Sequence, residues 1–128
     1  MSQLVSFVIP CYKSALTIGS VIAEITDAMA ALPAYEYEIV LVNDCSPDNT
    51  FEIIRGICET NDKVKGINLA KNFGQHAALM AGFAQAKGDI VVCLDDDGQT
   101  PANEVGKLLA GIENGADVVY ARYAHKKH

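Results

Sequence analysis

Short apolar runs rich in β-branched residues alternate along the chain with stretches whose apolar positions recur every three or four residues. The first pattern occupies residues 4–9, 38–42, 64–69, 89–94 and 117–120, and it predicts strands. The second is clearest over 16–32, where Ile18, Val21, Ile22, Ile25, Met29 and Leu32 share one helical face. Further helices are predicted from Asn49 to about residue 59, over 75–86 and over 100–112. The boundaries are punctuated. Pro10 stops the first strand and Pro33 the first helix. Asn49 with Glu52 resembles a capping box. Gly88 stops the third helix, and Thr100 with Pro101 opens the fourth. Strands alternating with helices predict a three-layer α/β/α arrangement around a mostly parallel sheet.

In such a sheet, ligands bind beyond the carboxyl ends of the strands, where the strand order reverses. The polar clusters all fall at that edge. Pro10, Cys11, Tyr12 and Lys13 follow the first strand, and residues 43–48 the second. Lys71 to Gly74 follow the third, and Asp95, Asp96 and Asp97 the fourth. The acid triplet is the sharpest signal. Two carboxylates about 5 Å apart repel by roughly 3 kcal/mol at an effective dielectric near 20. A hard divalent cation turns that repulsion into attraction. Asp95 and Asp97 are two apart, so an extended backbone directs both to one side and Asp96 to the other.

Composition narrows the partners. The 128 residues are 50% hydrophobic, enough for one domain with a core. No apolar run reaches the ~20 residues of a membrane span. Met1-Ser2-Gln3 carries neither the basic region nor the cleavage site of a signal peptide. The net charge of -6, without a basic stripe, argues against nucleic acid as a partner. Cys11, Cys45, Cys58 and Cys93 lack C-x-x-C spacing. Free thiols in a reducing cytoplasm are therefore expected.

Taken together, the edge loops resemble those of family 2 glycosyltransferases of the GT-A fold. The matching stretches are Val8-Ile9-Pro10-Cys11-Tyr12-Lys13, then Val42-Asn43-Asp44-Cys45-Ser46-Pro47-Asp48-Asn49-Thr50, then Asn72-Phe73-Gly74-Gln75-His76-Ala77-Ala78-Leu79-Met80-Ala81-Gly82, then Leu94-Asp95-Asp96-Asp97-Gly98-Gln99-Thr100-Pro101, with Gly115-Ala116-Asp117-Val118-Val119-Tyr120 closing the pattern. The third and fourth are most similar to the branch that transfers sugars to polyprenyl phosphate. The resemblance implies a metal-dependent, inverting transfer from a nucleotide-diphosphate sugar. It implies that Asp95 and Asp97 are the catalytic D-x-D pair, holding Mg²⁺ or Mn²⁺ against the diphosphate, with Gln99 as a further metal ligand. It assigns donor binding to Pro10, Tyr12, Asp44 and Asp95; Lys71, a cation in the loop before the third predicted helix, would add a contact to the diphosphate. Tyr12 would cover the base or ribose, and Asp44 would accept a hydrogen bond from a ring N–H. Two positions depart from the pattern. Asn43 stands where a second acid is usual, and Cys45 replaces a usual Gly or Asn. The acceptor would be a lipid-linked phosphate or a saccharide. Residues 1–128 would be the donor-binding, N-terminal half of a longer protein, at the cytoplasmic face of a membrane.

Two other classes compete. One is a module that binds nucleotide sugars without turnover. The other is a haloacid-dehalogenase-like phosphatase, which also carries D-x-D-G. That family places the motif on its first strand, whereas here it follows the fourth predicted strand. A dinucleotide-binding oxidoreductase needs a glycine-rich turn after the first strand, and residues 10–16 contain no glycine.

Overall fold

The computed structural model describes residues 3–13, 15–71, 74–93 and 118–120. Within them, β1 (Gln3–Cys11), α1 (Ile18–Ala30), β2 (Tyr35–Asn43), α2 (Thr50–Thr60), β3 (Val64–Asn68), α3 (Gln75–Gln85), β4 (Ile90–Cys93) and β5 (Val118–Tyr120) follow one another. The strands form one sheet in the order β3-β2-β1-β4-β5, and every pairing is parallel. The predicted helix over 100–112 lies outside the described residues.

Handedness explains the layering. Parallel crossovers are right-handed, so steps in one direction put their helices on one face. The chain steps outward from β1 to β2 to β3 through α1 and α2. It then reverses across the sheet to β4 through α3. Accordingly Phe7, Ile9, Ile39 and Leu41 pack with Ile25 and Met29 of α1 and Ile54 of α2. Val8, Val40 and Val42 point to the opposite face and pack with Ala78 of α3. Each fully buried side chain of this size contributes about 1.5–3 kcal/mol. Burial on both faces is why β1 over 7–11 and β2 over 39–42 read as unbroken apolar runs.

Three boundary expectations change. Pro10 does not stop β1. It pairs in register with Val42, one residue before the strand ends. Alternate residues of β1 face opposite neighbours: Leu4 O accepts from Asp89 N on the β4 side, and Cys11 O from Asp44 N on the β2 side. Pro10 therefore faces β4, beyond the last described rung of Val8 against Cys93, and its missing N–H removes no described bond. Asn49 occupies the N-cap position of α2 without a side-chain bond. Asp48 caps instead, its Oδ1 accepting from Thr50 N at 3.1 Å and from the Thr50 hydroxyl. Gly88 is not the stop of α3, which ends at Gln85 with Ala86 already extended. Its smallness serves a close approach: a Cβ there would lie 2.5 Å from Ser6 Oγ and 2.8 Å from Leu4 O.

A buried acid pins that same connection. Glu38 of β2 lies opposite Ser6 of β1 and is only 7% exposed. Its carboxylate accepts from Ser6 Oγ at 2.5 Å and from Lys87 N at 2.7 Å, and pairs with Lys65 Nζ at 2.7 Å. Ser6 Oγ in turn accepts from Gly88 N at 2.8 Å. The network ties β1, β2, β3 and the α3–β4 link together.

Candidate functional site

The order β2-β1-β4 puts the reversal point between β1 and β4. Tyr12 leaves β1 at that point and is 44% exposed, whereas Pro10 is buried within the strand. Asp44 leaves β2 directly alongside, is 5% exposed, and is tied to β1 through its N–H on Cys11 O at 2.9 Å. A second bond joins the same two loops, from Lys13 N to Ser46 Oγ at 2.8 Å. The structure thus brings Pro10, Tyr12 and Asp44 together. Lys71 is exposed after edge strand β3, two strand positions from β1 or about 10 Å across the sheet. Its loop meets the one after β2, where Leu69 N donates to Asn43 O and Cys45 Sγ to Ala70 O. Asp95, Asp97 and Gln99 lie outside the described residues. The strand before them, β4, ends at Cys93 beside β1. Among the described residues, no group of three or more His, Cys, Asp or Glu could hold a metal ion.

The loops are laced by side-chain pairings that the sequence did not reveal. Asn43 Nδ2 donates to Asn68 Oδ1 at 2.8 Å, while its Oδ1 accepts from Ser46 N at 3.3 Å. The Asn43 amide thus serves as donor and acceptor at once, its nitrogen towards Asn68 and its oxygen towards Ser46. Leu69 N donates to Asn43 O at 3.0 Å, and Cys45 Sγ to Ala70 O at 3.6 Å. The loops after β1, β2 and β3 therefore form one connected edge.

Both non-glycine residues with positive φ among the described residues fall here, Lys13 at 55° and Cys45 at 53°. Left-handed backbone costs about 1–2 kcal/mol for residues other than Gly, Asn and Asp. Position 45 thus requires the conformation that Gly or Asn adopts readily, which is the pair its cysteine replaces. Gly74, before α3, also has positive φ, at 95°.

Electrostatics separates the thiols and acids. All four cysteines are free. Burial pushes the Cys93 thiol up to about 11, so it is protonated and unsuited to ligation or nucleophilic attack. The Ser46 and Thr50 hydroxyls hold Asp48 below the usual carboxylate range, keeping it charged at the start of α2. No described helix is long and apolar enough to cross a membrane.

The comparisons agree with this geometry. The model of "Glycosyl transferase family 2" matches residues 6–128. An undecaprenyl-phosphate 4-deoxy-4-formamido-L-arabinose transferase of Aeromonas hydrophila is 41% identical over 118 residues, which are 91% of this chain and 36% of that protein. A mannosyltransferase of Pyrobaculum calidifontis, solved with GDP-Man and Mn²⁺, superposes with a TM-score of 0.68 at 27% identity, covering 86% of this chain and 33% of its own. Glucosyl-3-phosphoglycerate synthase of Mycobacterium tuberculosis, solved with Mn²⁺ and UDP-glucose, gives 0.67 at 25% identity over 88% of this chain and 40% of its own. The chain spans a third to two-fifths of the length of these relatives.

Proposed function

The chain belongs to glycosyl transferase family 2, and from that premise we propose that residues 1–128 form the donor-binding unit of a metal-dependent, inverting glycosyltransferase. The observation that carries the proposal is the laced Tyr12–Asp44 edge beside β4, the strand that leads into the acid triplet. Tyr12 offers a half-exposed ring for a base or ribose. Asp44, almost shielded from water, offers a carboxylate to a base N–H, and Pro10 is buried in the strand that leads into the loop. Lys71 brings a cation towards the diphosphate from the β3 side of the edge.

The donor set after β4 suits a hard cation. Asp95 and Asp97 supply carboxylate oxygens and Gln99 an amide oxygen, the ligands that Mg²⁺ or Mn²⁺ prefers. When bound, the ion neutralises negative charge on the departing nucleotide diphosphate. Relatives solved with Mn²⁺ support this reading. We further propose polyprenyl phosphate as the acceptor, following the undecaprenyl-phosphate substrate in the relatives' names. A phosphate oxygen is already ionised near neutral pH and attacks without a general base. It would form its bond to the anomeric carbon opposite the nucleotide as the sugar–diphosphate bond breaks, the electron pair leaving with the diphosphate. Free thiols and a lipid-linked acceptor together favour the cytoplasmic face of a membrane.

Calorimetric titration with UDP and with GDP, each with and without Mn²⁺, tests the proposal. One nucleotide should bind, the cation should be required, and Asp97→Ala should abolish the binding. Failure of both nucleotides to bind the unmodified chain in the presence of Mn²⁺ would sink it.

A further inference from the structure

Lys13 has no intrinsic reason to be left-handed. It is neither Gly nor Asn, yet its φ is 55°. Such a residue persists only where its surroundings over-determine it. The only backbone bond described for Lys13 runs from its N–H to Ser46 Oγ at 2.8 Å, across 33 residues of sequence.

The geometry gives that contact a direction. The Ser46 hydroxyl has one proton, which it donates to Asp48 Oδ1 at 2.5 Å. Its lone pairs are thereby left for Lys13 N–H. Asp48 is itself held by Thr50 N at the first turn of α2, and α2 is anchored in the core by fully buried Ile54. A chain of bonds thus runs from a core helix to the residue after Tyr12. The Lys13 ammonium also lies 5.6 Å from the Tyr12 ring centroid, within cation–π range. The 43–46 turn has a bond of its own that does not involve the hydroxyl, from Ser46 N to Asn43 Oδ1.

We propose that Ser46 is a positioning residue for the donor: its hydroxyl holds Lys13 left-handed and so presents the Tyr12 ring at the β1–β4 crevice. The inference rests on the nucleotide-binding reading of this edge. Ser46 touches no ligand in this scheme and acts only through Lys13 and Tyr12.

Two measurements on the chain separate its parts. Backbone chemical shifts of Lys13 report its φ, and calorimetry with UDP and GDP plus Mn²⁺ reports donor affinity. Ser46→Ala should move the Lys13 shifts out of the left-handed range. It should weaken nucleotide binding about tenfold, the loss of roughly one hydrogen bond to a locked loop. Ser46→Thr, which retains the hydroxyl, should restore both. Unchanged Lys13 shifts in Ser46→Ala would overturn the proposal, as would unchanged affinity despite shifted Lys13 signals. Should Ser46→Ala fail to fold, Ser46→Thr decides: near-native shifts and affinity support the role, and loss of either overturns it. No nucleotide binding by the unmodified chain would instead overturn the reading of the site. The Lys13 shifts would show separately whether Ser46 holds the loop.

Discussion

Glu38→Ala should be among the most destabilising single changes outside the apolar core. The carboxylate is 7% exposed and serves three partners. They do not weigh equally. The Lys65 side chain is 37% exposed, so its ammonium returns to water when the acid is removed, and that pair contributes under about 1 kcal/mol. Ser6 is fully buried, and the Lys87 N–H is partly buried in the α3–β4 link. Stranding a buried donor costs about 1–3 kcal/mol each. The two stranded donors together set an expected loss of about 2–6 kcal/mol, a large share of the roughly 5–15 kcal/mol that holds a domain together. Glu38→Gln keeps an oxygen for Ser6 and Lys87 and loses mainly the charge, so about 1–2 kcal/mol is expected. Urea unfolding at constant m-value measures both. Burial alone would raise the Glu38 carboxyl, but bonds from Lys65, Lys87 N–H and Ser6 outweigh it and hold the group below its usual range. A lowered carboxyl stabilises fully above its unfolded-state value, and that stability is lost as pH falls through the folded value. Unmodified protein should thus lose stability faster than Glu38→Gln below about pH 4.3. A cost under about 0.5 kcal/mol for Glu38→Ala, or equal costs for Ala and Gln, would refute the reasoning.

The other expectations concern single positions. Gly88→Ala should destabilise by about 2 kcal/mol or more in urea, because its Cβ would meet Leu4 O and Ser6 N, both backbone atoms 2.8 Å away. Unchanged stability would mean that the α3–β4 link shifts freely. Cys45→Gly should stabilise by about 0.5–1 kcal/mol by relieving left-handed strain, despite loss of the long bond to Ala70 O. A destabilised Cys45→Gly would show that the thiol contact outweighs the strain. Iodoacetamide at pH 8 should label exposed Cys45 while sparing Cys93, which is buried and raised to about 11. Mass spectrometry of the labelled peptides reads the order, and early labelling of Cys93 in native protein would contradict its burial.

How much of the site was legible follows from the range of the interactions involved. The edge loops were found because each begins where an apolar run stops, a local signal. The partners within those loops were not found. Lys13 meets Ser46, and Asn43 meets Asn68, only because parallel strands bring their carboxyl ends together. The one advance sign of the left-handed turn at position 45 was indirect: a cysteine stood where the resembling family has Gly or Asn. Lys71 looked equivalent to the other loop residues, and only the strand order showed it two positions from β1.

Among the described residues, alternating periodicity alone determined the succession of strands and helices and the apolar face of α1. These depend on neighbours within a few residues, which the order of the side chains already encodes. Tertiary structure decided which strands adjoin, and therefore that Pro10 could remain in a central strand with its missing donor facing past the last described rung to β4. It also decided that Glu38 could be buried, because Ser6, Lys65 and Lys87 arrive from three other segments. A buried charge or an absent donor is tolerated according to what surrounds it in space, and that is set only when distant segments meet.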